Sequence, residues 1–572
     1  MRLNKSLCSA FHRLMAVSGM LAALSLFVFV GACGLRSPGT ADFGVTKVLP
    51  ASGIDLTSPD AIIRTNSLAK LPRDLLRVPL FRDVLTEDFV FYYEQNTGRL
   101  SLGGALRRIA YEHNLDLGDW VIRTVIDEPA EIAFWKGPNG RLKHYLIAMT
   151  RNNLAKLLEM AAKVVLNDSQ LKRAGGDLMV QGENVSVFVL TYASNRTLLF
   201  ATRGKRMVIL SDAGMLKDRK GKMTDDSRNI LSALLSKDVR AQRIYGDRFQ
   251  VNGTASEHTV AVTARYLSFG YQHFFPAVQS LRFDFGKDGW STQVMVDPGT
   301  LPAGSLNTAP LWNLVPMEPS ICFALPVDWD TAGSLLPRLG MKKEEAKGLI
   351  RAINGPVGVC WYPKSRLHTP LFVVPISRAL GPSETKFLAK AFEAAIGLKR
   401  PDLNGSAEGP YPATAVQNPD NSRLWQRLVP SRYGIHRPGE KGKGTRRDGR
   451  FFQVTLAQHA RSLIFSPDER LVEDALAVAA KKFPALGDSL PKGGAIIAVI
   501  TPSSLSALVQ TETFASLPAA EEAVLRSAAN AHLLPKLAAL KRHPAYSLIL
   551  PENVQPIPNQ WVPVIWRPVG NL

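Results

Sequence analysis

The chain has 572 residues, 46% of them apolar, and carries a formal net charge of +20. That length and apolar content exclude a disordered or single-motif chain and fit three or four packed units. No Gly-rich phosphate loop, H-E-x-x-H pair or cysteine-histidine zinc spacing is present, so no cofactor or motif-type metal site is expected.

The first element is a leader. Leu14 to Ala32 is uncharged, follows Arg2, Lys5 and Arg13, and ends in Val30-Gly31-Ala32-Cys33. Small residues before a cysteine, behind an apolar run and a basic head, are what a lipoprotein signal peptidase requires, so Cys33 is the expected lipidated first residue of the mature chain. About 19 apolar residues at 1.5 Å rise make a helix of about 29 Å, so one uncleaved span is the alternative. Either reading makes residues 1–32 a signal or anchor and places the body on the periplasmic side of a bacterial envelope, held at the membrane. Without the three leader cations the body still carries about +17. Outside the cytoplasm the polyanions within reach are phospholipid head groups and acidic envelope polymers, not nucleic acid. A generally basic, soluble surface accounts for the charge equally well.

Residues 33–54, with Ser37-Pro38-Gly39-Thr40 and Ala51-Ser52-Gly53, read as a tether. The body then repeats itself. Leu71-Pro72-Arg73-Asp74 recurs as Leu325-Pro326-Val327-Asp328, and Phe134-Trp135 followed by Leu146-Ile147-Ala148-Met149 recurs as Cys360-Trp361 followed by Leu371-Phe372-Val373-Val374. The helix-like run Leu154 to Ala161 matches Leu388 to Ala395, and Val208-Ile209-Leu210-Ser211 matches Leu463-Ile464-Phe465-Ser466. Four matches in one order indicate a duplicated module, over residues 55–300 and 316–490, with 491–572 as a C-terminal extension. Turns at Gly137-Pro138-Asn139-Gly140, Arg203-Gly204-Lys205-Arg206 and Lys287-Asp288-Gly289 join strand-like runs. The fold class expected is α+β: tandem modules of antiparallel hairpins with helices packed on one face.

Of the four cysteines, Cys8 lies in the leader and Cys33 at the lipidation site; Cys322 and Cys360 lie in strand-like segments. In an oxidising compartment those two can form a structural bridge, and buried free thiols are the alternative. The run Ser431 to Arg450 holds Arg432, Arg437, Lys441, Lys443, Arg446, Arg447 and Arg450 among glycines. It reads as a mobile basic loop for an anionic partner, or as a solvated hairpin tip. The tail Gln560 to Pro568 is apolar and proline-broken, an edge strand or a partner-binding arm anchored by Trp561 and Trp566.

No catalytic residue is assigned. Glu112-His113 and Glu257-His258 pair an acid with an imidazole, but neighbours along a strand or helix point different ways. Ser211 and Ser466 recur together, and helix capping explains them better than a paired active site.

The opening of the body, Asp55-Leu56-Thr57-Ser58-Pro59-Asp60-Ala61 with Leu71 to Phe81 and Leu85 to Glu94, resembles an uncharacterised bacterial envelope family known only as a domain of unknown function. Genes of that family often accompany one for a bacterial alpha-2-macroglobulin, an envelope trap for foreign proteases. The resemblance implies an accessory role and supplies no site residues. The expected function is therefore a membrane-tethered periplasmic binding or accessory protein, with alpha-2-macroglobulin or another envelope protein as partner. The alternative is an envelope or cell-wall hydrolase whose site is assembled from scattered residues.

Overall fold

The computed structural model describes, short gaps apart, residues 54–78, 127–150, 171–397, 413–436, 450–515 and 522–570. The leader with Cys33, the tether to Gly53, Glu112 and His113, the segment Leu154 to Ala161, and Arg437, Lys441, Lys443, Arg446 and Arg447 lie outside the described residues. The chain forms two compact units. The first contains the described residues up to Gly270, then Gln279–Met295 and Asn559–Trp561; the second contains Tyr271–Val278, Val296–Pro558 and Val562–Leu572.

The first unit holds β1 (Ala61–Thr65), β2 (Ala130–Lys136), β3 (Leu142–Thr150), β4 (Leu171–Arg173), β5 (Leu178–Val180), β6 (Glu183–Val185), β7 (Val187–Ala193), β8 (Arg196–Arg203), β9 (Arg206–Leu210), β10 (His258–Thr263), β11 (Val278–Gly286) and β12 (Gly289–Val296). Its antiparallel sheet runs β4-β7-β8-β9-β3-β2-β1-β10-β11. Strands β5 and β6 form a separate hairpin.

The second unit holds β13 (Ile321–Leu325), β14 (Val357–Trp361), β15 (Leu371–Pro375), β16 (Thr414–Gln417), β17 (Arg423–His436), β18 (Arg450–His459), β19 (Ser462–Ser466), β20 (Gly494–Ile500), β21 (Tyr546–Pro551) and β22 (Trp561–Pro568). Its antiparallel sheet runs β16-β17-β18-β19-β15-β14-β13-β20-β21-β22. Its first nine strands repeat the order of the first unit, and β22 adds a tenth.

The registers agree as well. Ala61 pairs with Phe134 and Val262, and Ile321 pairs with Trp361 and Ile500. With those pairs superposed, Trp135 falls on Tyr362, and both send a donor back to the segment before the first strand. Trp135 Nε1–H donates to the Asp55 carbonyl at 2.8 Å, and Tyr362 O–H to the Pro316 carbonyl at 3.1 Å. Leu146 to Met149 lie on Leu371 to Val374, as the sequence aligns them. Two other matches slip by one residue: Phe134, not Trp135, lies on Trp361, and Val208 lies on Ile464. The Leu-Pro match is not an equivalence, since Leu71 opens helix α1 (Leu71–Leu75) while Leu325 closes β13. Nor do the two serines cap helices. Asp212 accepts from the Gly214 N–H and Asp468 from the Arg470 N–H, while Ser211 Oγ takes the Tyr145 N–H and Ser466 Oγ the Asp468 N–H.

Helices cover both faces of each sheet, which corrects the one-face expectation. In the first unit, α2 (Asp225–Leu234) and α3 (Ile244–Arg248) pack with Ile62, Ala133, Leu146 and Val208, while α1 packs with Ile63, Ile132 and Phe285. In the second, α4 (Lys343–Ala352) and α5 (Pro382–Gly397) cover Phe452 and Leu463, and α6 (Glu469–Ala479) covers Val373 and Ile464. All five residues of β14 are buried, as a strand covered on both sides must be.

Residues 491–572 are not an added extension. Strand β20 pairs directly with β13, β21 and β22 complete that sheet, and Asn559–Trp561 joins the first unit. The stretch before residue 316 also belongs to the second unit, where Leu311 and Trp312 are core. Among the described residues no helix is long and apolar enough to cross a membrane.

Candidate functional site

A row of polar residues crosses the first sheet. Glu131 pairs with Arg64, Arg64 with Thr259, and Thr259 with Asp284. Alternation puts them on the face of Ile62, Ala133 and Ala261, beneath α2 and α3. Asp284 is buried and well satisfied: Thr259 Oγ1 donates to Oδ1 at 2.6 Å, Arg282 Nη2 to Oδ1 at 2.9 Å, and Gln293 Nε2 to Oδ2 at 3.0 Å. Arg282 is itself buried and lies 5.7 Å from the Trp561 ring, whose Nε1–H donates to the Phe249 carbonyl.

At the other end of the row, burial pushes the Glu131 carboxyl up to about 7, against the opposing pull of Arg64, the Gly246 N–H and Arg206. Its Oε1 is buried without a hydrogen-bond partner, as is the hydroxyl of Tyr245, which lies fully buried on α3. Burial, with Glu131 and Asp55 adding to it, holds the Tyr245 phenol well above its ordinary range. Arg64 Nη1 is spent on the Val251 carbonyl at 2.6 Å. The arrangement is a carboxyl that exchanges its proton near neutrality, set among cations and a neutral phenol.

Among the described residues the second sheet carries no such row. Gly358 and Ala324 stand where the first has Glu131 and Arg64, and a Cβ on Gly358 would come 2.7 Å from Leu311 Cδ1. There the same face is closed by apolar packing and by a disulfide joining Cys322 and Cys360, which face each other across β13 and β14 with Cα atoms 4.0 Å apart. The corresponding pair in the first sheet is Ile62 and Ala133.

A second polar cluster lies on the opposite face of the first sheet, under α1. His258 Nε2 is 3.0 Å from Asp74 Oδ2, and Nδ1 is 2.7 Å from Thr65 Oγ1. These side chains are 0 to 2% exposed. Ligand atoms of Asp74, Glu257 and His258 all lie within 4.8 Å of one another. Glu257 precedes the strand, where alternation does not yet hold, so the adjacent acid and imidazole converge after all. Asp74, 184 residues from His258, was invisible as a partner in the sequence. The order Asp74, His258, Thr65 has the composition of a nucleophile relay. Its hydroxyl is nevertheless buried and already donates to the Ser67 carbonyl at 2.7 Å, so the cluster offers no accessible nucleophile.

Of the basic run, Arg432 falls inside β17 and Arg450 opens β18; the hairpin strands extend further into it than the sequence indicated, with a register shift between Pro430 and Ile435.

A curated relative, the uncharacterized protein YfaA of Escherichia coli (strain K12), is 35% identical over 521 residues, covering 90% of this chain and 91% of its own. A solved structure described as crystal form IV of TP0453 covers 47% of this chain and 86% of its own, at 6% identity and a TM-score of 0.21, a likeness too slight to carry an argument. The family model described as an uncharacterized protein conserved in bacteria, DUF2138, matches residues 10–566, and the chain belongs to that family.

Proposed function

We propose that this is an exported, membrane-tethered binding protein made by tandem duplication of one α+β module, serving as an accessory to an envelope protease-trapping system of the alpha-2-macroglobulin type. The observation that carries the reading is the contrast between the units. Two sheets share one strand order and register, yet one is closed by apolar packing and a disulfide while the other keeps Glu131, Arg64, Thr259 and Asp284 across the corresponding face. Duplication followed by divergence makes the second unit the scaffold and the first the working unit. A buried disulfide suits the oxidising periplasm that the leader implies, with Cys33 as the lipid attachment point. The hydrolase alternative gains nothing from the Asp74, His258 and Thr65 cluster, whose hydroxyl proton is committed.

The test is crosslinking in living cells with a C-terminally tagged chain beside Cys33→Ala. Recovery of an alpha-2-macroglobulin with the wild type, reduced when Cys33 is replaced, supports the reading. Recovery of cell-wall enzymes, or of nothing reproducible, sinks it.

A further inference from the structure

We propose that Asp74, Glu257 and His258 form a site for one divalent metal ion of the zinc class. Thr65 orients the imidazole. Its Oγ1 accepts the Ser67 N–H at 3.1 Å and donates its own proton to the Ser67 carbonyl at 2.7 Å. Toward His258 that oxygen therefore acts as acceptor, and the proton of the 2.7 Å contact must sit on Nδ1. With Nδ1 turned to Thr65, Nε2 is the ring nitrogen that faces Asp74 Oδ2, 3.0 Å away, and the one placed to ligate a cation. Glu257 brings a second carboxylate to the same point, with Oε2 buried and without a hydrogen-bond partner among the described residues. One imidazole nitrogen and two carboxylates with mutual separations under 4.8 Å match the donor set and span of a zinc-type centre, and two carboxylates balance a divalent charge. Thr65 then does what groups behind metal-bound histidines do, fixing the tautomer and the ring plane. Arg77, whose guanidinium reaches Asp74 Oδ1 at 3.4 Å from a half-exposed position, orients the acid from outside. No metal-ligand spacing shows in the sequence because the ligands come from α1 and from the residues where β10 begins, which meet only through the sheet.

The experiment uses the full chain, stripped with a chelator and reloaded with Zn²⁺ or Co²⁺, with bound metal counted by mass spectrometry and Co²⁺ read by its visible absorption. The result expected is one equivalent per chain, tetrahedral-type Co²⁺ bands, and affinity reduced at least tenfold in Glu257→Gln and in His258→Gln. Thr65→Val is expected to lower affinity by about tenfold while leaving one equivalent at saturation. Glu257→Gln is the decisive variant, because Glu257 lies at the edge of the cluster and its retained near-ultraviolet dichroism separates lost binding from lost fold. A folded wild type that takes up no stoichiometric metal, with ¹⁵N shifts showing His258 as an imidazolium, overturns the proposal in favour of a proton in the gap. Equal uptake by wild type and Glu257→Gln overturns it too.

Discussion

At Glu131 the sheet stores a proton. Its carboxyl titrates near 7 in the fold against an ordinary value of 4.5, because burial outweighs the cations around it. The folded state therefore holds more protons than the unfolded one between those values, and stability falls as pH rises from about 4.5 through 7, then levels off. The full difference is roughly 3 to 4 kcal/mol, at about 1.4 kcal/mol per unit. Glu131→Gln is expected to flatten this dependence and to be more stable than the wild type at pH 8 and about equal at pH 4, read from urea midpoints at the two values. None of this was legible beforehand. Glu131 is one acid in an ordinary amphipathic strand, and its environment comes from Tyr245 and Arg206, far along the chain. Glu257 and His258 were seen as a pair, but a rule about neighbouring residues in regular strands hid their convergence at a strand's first residue.

At the scale of elements, the second sheet rests on two close approaches in its central strands. The Cys322 to Cys360 bridge closes a loop of 38 residues, for which chain-entropy arguments give a stabilisation of about 3 to 4 kcal/mol. Replacing both cysteines with alanine is expected to lower the denaturation free energy by about that amount, and a reductant is expected to do the same to the wild type but not to the double variant. Gly358 is the other approach. Gly358→Val drives a side chain into Leu311 Cδ1, 2.7 Å from where a Cβ would lie, and is expected to destabilise by about 1 to 3 kcal/mol in thermal melts. The strands themselves were well marked in the sequence, and so was the turn at Gly204, which is left-handed with φ of 54°. Register was harder. Runs such as Val208-Ile209-Leu210 and Leu463-Ile464-Phe465 are apolar throughout because both faces are covered, so no alternation exists to show which residue matches which. Asp212 and Asp468 took the capping role assigned to the serines beside them, since either residue type can accept a free amide.

For the whole molecule, contacts divide the chain into two compact units whose boundaries interleave in a way that internal similarity does not mark. Internal similarity marks where modules resemble each other, whereas a compact unit ends where contacts end, and the last strands pair with segments far earlier in the chain. Trp561 shows the difference: it stands eleven residues before the last one, packs on the first core, and bonds to Phe249. Trp561→Ala is expected to lower the stability of the first unit by about 2 kcal/mol in chemical denaturation, through lost burial and the Arg282 contact. A chain ending at residue 300 should show at least the same loss.

Pairings such as Ala61 with Val262 and Ile321 with Ile500 join residues about two hundred positions apart. A chain made N-terminus first cannot finish the first core until Trp561 arrives, nor the second sheet until β22 does. Until then the first core lacks Trp561 and the second sheet ends on the unpaired edge of β21. Such a chain folds late, and loss of its final dozen residues would leave both halves incomplete rather than merely shorten a tail.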